Sequence, residues 1–213
     1  MQTLLSTAYF PPVIWVAYAV QSDELLLESK ENFQKQSYRS RMDIAGPNGK
    51  QTLSVPVDRS IKSILTTPIS YQEDWVSKHL KSIETAYANS PFFEVLFPDV
   101  EVLLKKEYSS LWSLNLATIQ LFFHWLELST QLPFTSSYET VTNVNDARSL
   151  HPKEKLDIKT PAYLQVFEQK NGFMSNLSAL DVFFNLGRSS WDYFQEINLR
   201  QKLTQYHHES GIQ

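Results

Sequence analysis

The chain contains no cysteine, which excludes a disulfide framework, a thiolate nucleophile and any Cys-ligated metal. Glycine is almost as sparse, with five among 213 residues, and neither common Gly-rich phosphate loop occurs. A bound nucleotide would therefore rely on arginines, lysines or a helix N-terminus. There is no basic run, and a net charge of -4 offers no global attraction to nucleic acid or anionic lipid. The five histidines are scattered and the adjacent pair His207-His208 lies in the tail, so no metal and no cofactor are expected. The N-terminus lacks a basic n-region, and Pro11-Pro12 interrupts the apolar stretch from Ala8 to Val20. These absences together fit a cytoplasmic protein.

One charge-free segment, Ser109 to Trp125, spans 17 residues, only the short limit for crossing a bilayer. Ser113, Asn115, Thr118, Gln120 and His124 interrupt it. It reads as the central buried helix of a core and not as a membrane span. With 42% hydrophobic residues, the chain can build one sizeable core, so a single domain over residues 1–213 is expected.

The pattern along the chain predicts an α/β fold: a mixed sheet in the N-terminal half flanked by helices, then a largely helical C-terminal half. Strands are expected at Thr3–Ala8 and Asp23–Glu28, with the turn Tyr9–Pro12 and a helix Val13–Gln21 between them. A strand through Arg39 and Arg41 and another at Gln51–Val57 flank the turn Pro47-Asn48-Gly49. A helix over Tyr71–Ala88 carries the stripe Val76, Leu80, Ile83 and Tyr87. Pro91–Pro98 is an aromatic-rich connection, and a long helical region follows over Val100–Leu128, broken near Ser109-Ser110. Phe134–Val141 alternates like a strand, whereas Asn143–Thr160 has the composition of a loop or lid. Tyr163–Glu168 reads as a short strand or helical turn. Asn176 is placed as the N-cap of a helix ending at Leu186, with Gly187 as its stop. Ser189 or Ser190 opens a last helix toward Tyr206.

The segment Asn32 to Ile44 carries the chemistry. Read with a two-residue period, Ser37, Arg39, Arg41 and Asp43 share one strand face and Tyr38, Met42 and Ile44 the other. Two guanidiniums about 7 Å apart on an extended chain can hold a phosphate or carboxylate. The same face would also be satisfied by Asp43 neutralising one arginine. Lys35 is the adjacent candidate for phosphate contact. Tyr9 follows the carboxyl end of the first strand, where open α/β sheets bind ligands, and His79 borders the apolar stripe as a candidate general base. Asp181 sits in an apolar helix and needs a partner, for which Arg39, Arg41 or Arg148 are available. Arg39 and Arg41 are expected to open into one cleft with Tyr9, with His79 at its edge. Replacing either arginine by alanine should then spare the melting temperature.

Ordered motifs along the chain resemble the WbqC-like protein family. They run from Tyr9-Phe10-Pro11-Pro12 and Gln34–Arg41 through Leu53–Val57, Trp75–His79 and Ser90–Phe93 to Arg148, Pro152-Lys153, Tyr163–Phe167 and Asp181–Gly187. The chain departs from the family pattern at Thr7-Ala8 and at Arg39. The resemblance implies a bacterial protein of surface-polysaccharide (O-antigen, lipopolysaccharide) biosynthesis. Two classes then compete. One is a transferase acting on an anionic small molecule, a nucleotide-sugar or phosphorylated sugar, with Lys35, Arg39, Arg41 and Asp181 binding substrate and His79 and Tyr9 catalytic. The other is a non-catalytic binding or assembly module using the aromatic stretch Ser90–Phe97. A homo-oligomer is compatible with both.

Overall fold

The computed structural model describes residues 2–138, 145–153 and 158–199. The fold is α/β. Strand β1 (Gln2–Ser6) leads through helix α1 (Val13–Val20) to β2 (Glu24–Glu28), which pairs parallel to β1. Hairpin β3 (Arg41–Gly46) and β4 (Gly49–Ser54) forms a separate antiparallel pair. Helices α2 (Trp75–Tyr87), α3 (Phe93–Leu104) and α4 (Leu111–Trp125) follow. A two-residue strand β5 (Asn145–Asp146) then returns to the other side of β1, giving the order β2-β1-β5. The chain closes with α5 (Glu168–Asn171), α6 (Leu180–Leu186), a 3₁₀ turn at Gly187–Ser189 and α7 (Ser190–Glu196).

All eight residues of α1 are buried, from Val13 to Val20. This helix is apolar all round and is enclosed between β1 and α7. It takes the central place expected for Ser109–Trp125. Helix α4 instead buries one side through Leu114, Ile119 and Phe122, while Gln120 and His124 are exposed. The break before it falls at Ser110, whose hydroxyl accepts from the Ser113 amide at 3.2 Å in a reciprocal capping box. The polar residues inside α4 have structural work. Thr118 Oγ1 accepts from the Phe10 amide at 3.2 Å, and Asn115 Nδ2 donates to the Arg39 carbonyl at 2.9 Å. Together they clamp the loop after β1 to the segment before β3.

Several expectations are corrected. Helix α2 begins at Trp75, capped by Asp74, whose carboxylate accepts from the Ser77 amide at 3.0 Å. Its buried stripe is Trp75, His79, Ile83, Ala86 and Tyr87, so His79 lies within the stripe and Val76 and Leu80 flank it half-buried. Most of Pro91–Pro98 belongs to α3, with Pro98 inside the helix and Phe93 stacked on Phe97 at 4.5 Å. Phe134 makes only an isolated parallel bridge with Leu27; the remainder of that expected strand from residue 139 lies outside the described residues. The last helix, expected to run toward Tyr206, ends at Glu196, and residues from 200 on lie outside the described ones. The residues between Tyr163 and Phe167 form no strand.

Asn176 caps a different helix from the one expected. It lies in the left-handed region at φ 52°, and its Oδ1 accepts from the Ile14 amide at 3.0 Å. Beside it the Val13 amide donates to the Leu177 carbonyl at 2.9 Å, and the Ala179 amide to the Pro11 carbonyl at 2.8 Å. Ser178 in turn donates its amide to the Asp43 carbonyl at 2.8 Å. This late segment therefore ties the start of α1 to β3 and joins the two sheets. No helix among the described residues is long and apolar enough to cross a membrane.

Candidate functional site

The chain runs from β1 through α1 to β2 on one side, and β5 lies on the other. The sheet therefore reverses direction at β1, and the carboxyl end of β1 is the switch point at which α/β sheets hold ligands. The usual phosphate acceptor at such a point is the N-terminus of the first helix. Here the Val13 and Ile14 amides are already bonded by Leu177 and Asn176. An anion at this edge must be held by side chains.

Two buried ion pairs line the edge. Arg39 is 2% exposed and Glu31 7%. The guanidinium donates from Nε to Glu31 Oε1 at 2.8 Å and from Nη2 to Glu31 Oε2, and Nη2 also donates to Ser6 Oγ at 2.7 Å. Ser6 Oγ donates on to Glu31 Oε2 at 2.8 Å. Glu28, at the end of β2, accepts from Arg148 Nη1 at 2.8 Å and from Thr135 Oγ1 at 2.7 Å. Arg148 also holds Asp146 through Nε at 2.9 Å and Nη2 at 2.7 Å, and lies 4.7 Å from the Tyr138 ring centroid. The two-point contact of Arg39 with Glu31 offsets part of the desolvation cost.

Arg39 and Arg41 do not share a strand face. The chain turns between Lys35 and Ser40, with Gln36 at φ 59°, and β3 starts only at Arg41. Asp43 neutralises neither arginine. Lys50 Nζ donates to its Oδ2 at 3.0 Å and Thr52 Oγ1 to its Oδ1 at 2.6 Å. Arg41 is half-buried, and its guanidinium has no hydrogen-bond or ion-pair partner among the described residues. Its charge instead acts on His151 together with those of Arg39 and Lys153. His151 Nδ1 accepts from the Lys153 amide at 3.2 Å. Lys35 and Lys153 are exposed. The charges of Arg39, Arg41 and Lys153 thus all act on the His151 ring.

Tyr9 and His79 meet elsewhere. Tyr9 OH and His79 Nδ1 are hydrogen-bonded at 2.9 Å, with the donor set by the ring's tautomer. Burial pushes His79 down to about 4 and pushes the Tyr9 phenol well up. The pair is neutral at physiological pH and enclosed by Trp75 and Phe10, with exposures of 0% for Tyr9 and 4% for His79. Among the described residues neither arginine bonds to it. Asp181 lies apart again and, among the described residues, pairs with no arginine. Its Oδ1 accepts from Tyr163 OH at 2.6 Å and Gln165 Nε2 at 3.0 Å. Burial holds its carboxyl above the usual range.

Glu31, Ser6 and His151 escaped the sequence reading, which named Arg148 only as a partner for Asp181 and within a family motif, and Lys153 only within a family motif. Arg148, His151 and Lys153 stood in the polar stretch taken as a loop, and their positive character was the available signal. Among the described residues no group of three or more His, Asp or Glu could hold a metal.

An α/β protein with a cationic edge at its sheet switch point is the class that fold and site define. The WbqC-like protein family matches over residues 7–160, and the chain belongs to that family. It is also similar to the uncharacterized protein Rv1507c of Mycobacterium tuberculosis (strain ATCC 25618 / H37Rv), with 24% identity over 204 residues, covering 81% of this chain and 88% of the relative. No solved structure matches at a significant level.

Proposed function

We propose that this chain is a transferase-type enzyme of surface-polysaccharide biosynthesis, acting on a nucleotide-activated or phosphorylated sugar. The observation that carries the reading is Arg41, a half-buried guanidinium with no partner among the described residues, whose charge acts with that of Lys153 on His151 near the sheet switch point of a protein with net charge -4. Lys35, Arg41 and Lys153 bind the phosphate-bearing group. Arg39 contributes through the field of its pair and by fixing the turn that presents Lys35. Transfer from such a donor builds negative charge on the departing phosphate, and preset cations stabilise it. Tyr9 and His79, being enclosed, position the loop after β1 under this reading, and Asp181 braces α6. Under this reading the protein acts in the cytoplasm.

Thermal-shift titration against nucleoside diphosphate sugars, sugar phosphates and uncharged sugars tests it. A ligand at a hundred times its dissociation constant adds about 2.7 kcal/mol, and Arg41→Ala should remove that gain. Equal shifts with uncharged sugars, or full shifts in Arg41→Ala, would refute it. The alternative, a non-catalytic assembly module, draws on α3, where Val95 and Val102 are 71% and 59% exposed. Sugar transfer from a bound donor, followed by product analysis, separates the two.

A further inference from the structure

We propose that Tyr138, backed by Arg148 across the carboxyl edge of the sheet, is a stacking site for the base of a nucleotide. The inference rests on the donor reading above and commits it to a nucleotide-activated sugar, whose base lies on the Tyr138 ring.

The geometry starts from the strand ends. Glu28 closes β2 and Asp146 closes β5, and both strands run parallel to β1, one on each side of it. Arg148 joins the two carboxylates, donating from Nη1 to Glu28 Oε2 at 2.8 Å and from Nη2 to Asp146 Oδ2 at 2.7 Å. Its guanidinium therefore spans the carboxyl end of β1, the switch point of the sheet. The Tyr138 ring lies over that guanidinium, with its centroid 4.7 Å from Cζ. The backbone leading to Tyr138 is fixed as well. The Leu27 amide donates to the Pro133 carbonyl and the Thr135 amide to the Leu27 carbonyl, each at 2.9 Å. Thr135 Oγ1 donates to Glu28 Oε1 at 2.7 Å.

Tyr138 is nevertheless 59% exposed. One face rests on a guanidinium that two carboxylates hold still, and the other is left to a ligand. Those carboxylates already match the charge of Arg148, so the ring is not needed for that purpose. A ring ordered before binding loses little freedom when a flat partner settles on it. The local charge selects the partner. Two carboxylates against one guanidinium leave this end of the edge negative, which turns a phosphate away toward Arg41 and accepts a neutral group. Glu28 and Asp146 are engaged by Arg148 and Thr135, so the site offers a face more than hydrogen bonds for sugar hydroxyls. A base stacks on an aromatic ring through its π-face alone.

Titration calorimetry of the full chain compares pyrophosphate with the diphosphates of uridine, cytidine, adenosine and guanosine. At least one nucleoside diphosphate should bind about tenfold tighter than pyrophosphate, the gain expected of one stacked base. Tyr138→Ala should remove that gain and leave pyrophosphate affinity unchanged, whereas Tyr138→Phe should keep it. The wild-type comparison needs no variant, so the test stands even where Tyr138→Ala folds poorly. No gain from any base, or a gain that survives Tyr138→Ala, overturns the stacking site. Pyrophosphate binding that Arg41→Ala weakens would in that case still uphold the anion site. Failure of pyrophosphate and of every nucleotide to bind overturns both. Glucose 1-phosphate against inorganic phosphate is the remaining arm. A tenfold gain there that Tyr138→Ala abolishes makes the ring a sugar site and overturns the assignment to a base.

Discussion

Acid should destabilise this protein through His79, by an amount the structure allows to be worked out. His79 is held neutral in the fold, with its pKa at about 4, against about 6.5 in the unfolded chain. Between those values the unfolded state binds more protons than the folded one. Stability from this group is therefore complete above about pH 6.5 and is lost as pH falls toward about 4. The loss approaches 3 kcal/mol, at about 1.4 kcal/mol per unit. At 4% exposure the ring gains little from solvent screening.

The contrast with His79→Leu makes the test sharp. Leucine leaves the buried Tyr9 OH without its hydrogen-bond partner. At pH 7.5 that should cost about 2 kcal/mol, within the range for buried unsatisfied groups. The variant, however, has no imidazole to charge. Wild type loses about 2 kcal/mol through His79 between pH 6.5 and 5, so its advantage should vanish near pH 5 and reverse below it. Urea unfolding of both proteins across pH 4 to 8 measures this, since groups common to both cancel in the difference. A difference that stays constant with pH would refute the reasoning, as would a His79 resonance titrating near pH 6.5.

The two arginines should separate in stability, contrary to the sequence-based expectation. Arg39→Ala leaves Glu31 buried without its counter-ion and should cost about 3–5 kcal/mol by urea unfolding, whereas Arg41→Ala should change stability by less than about 0.5 kcal/mol. Gly187→Ala places a Cβ 2.5 Å from Phe92 Cε1 at a φ of +55°, and calorimetry should show a loss of about 1–3 kcal/mol. Asn176→Ala removes the acceptor for the Ile14 amide and should destabilise by about 1–2 kcal/mol, visible as faster amide exchange at the start of α1. Asp181 binds its proton more tightly folded than unfolded, so it adds stability as pH falls from its folded pKa toward about 3.8, and this gain disappears as pH rises. Asp181→Asn should therefore remove that acid-side gain, measured by urea unfolding between pH 3.5 and 7.

Local pattern carried the reading of β1, α1, β2, the β3–β4 hairpin and the break at Ser110, because apolar periodicity, a Pro-Asn-Gly turn and a serine cap act within a few residues. What failed depends on distance. Strand β5 is two residues long and exists only because β1 offers an open edge, a fact absent from its own composition. Asn176 looked like a local cap, yet its acceptor serves a helix 162 residues earlier. The alternation through Arg39 and Arg41 was equally suggestive, but it continues through a turn where Gln36 takes a left-handed backbone. Period two is a property of residue types; only the backbone decides whether it becomes a face.

The placement of charge at the β1 edge follows from which partners burial demands. Glu31 and Glu28 are buried, and each must be matched by a guanidinium, as Arg39 and Arg148 do. Asp43, equally buried, is met by Lys50 across the hairpin. Those requirements account for three cations but not for Arg41 or Lys153, whose charges act on a ring that burial already keeps from its proton. Folding alone would favour dispersing such like charges. The helix N-terminus beside them, the other source of positive potential, is closed by the chain. With the backbone anion site closed and Arg41 unmatched among the described residues, the proposed recognition falls to side chains. Charge reversal tests that transfer: Arg41→Glu should abolish sulfate binding yet leave stability within about 1 kcal/mol of wild type, whereas retained binding would return the anion to the backbone.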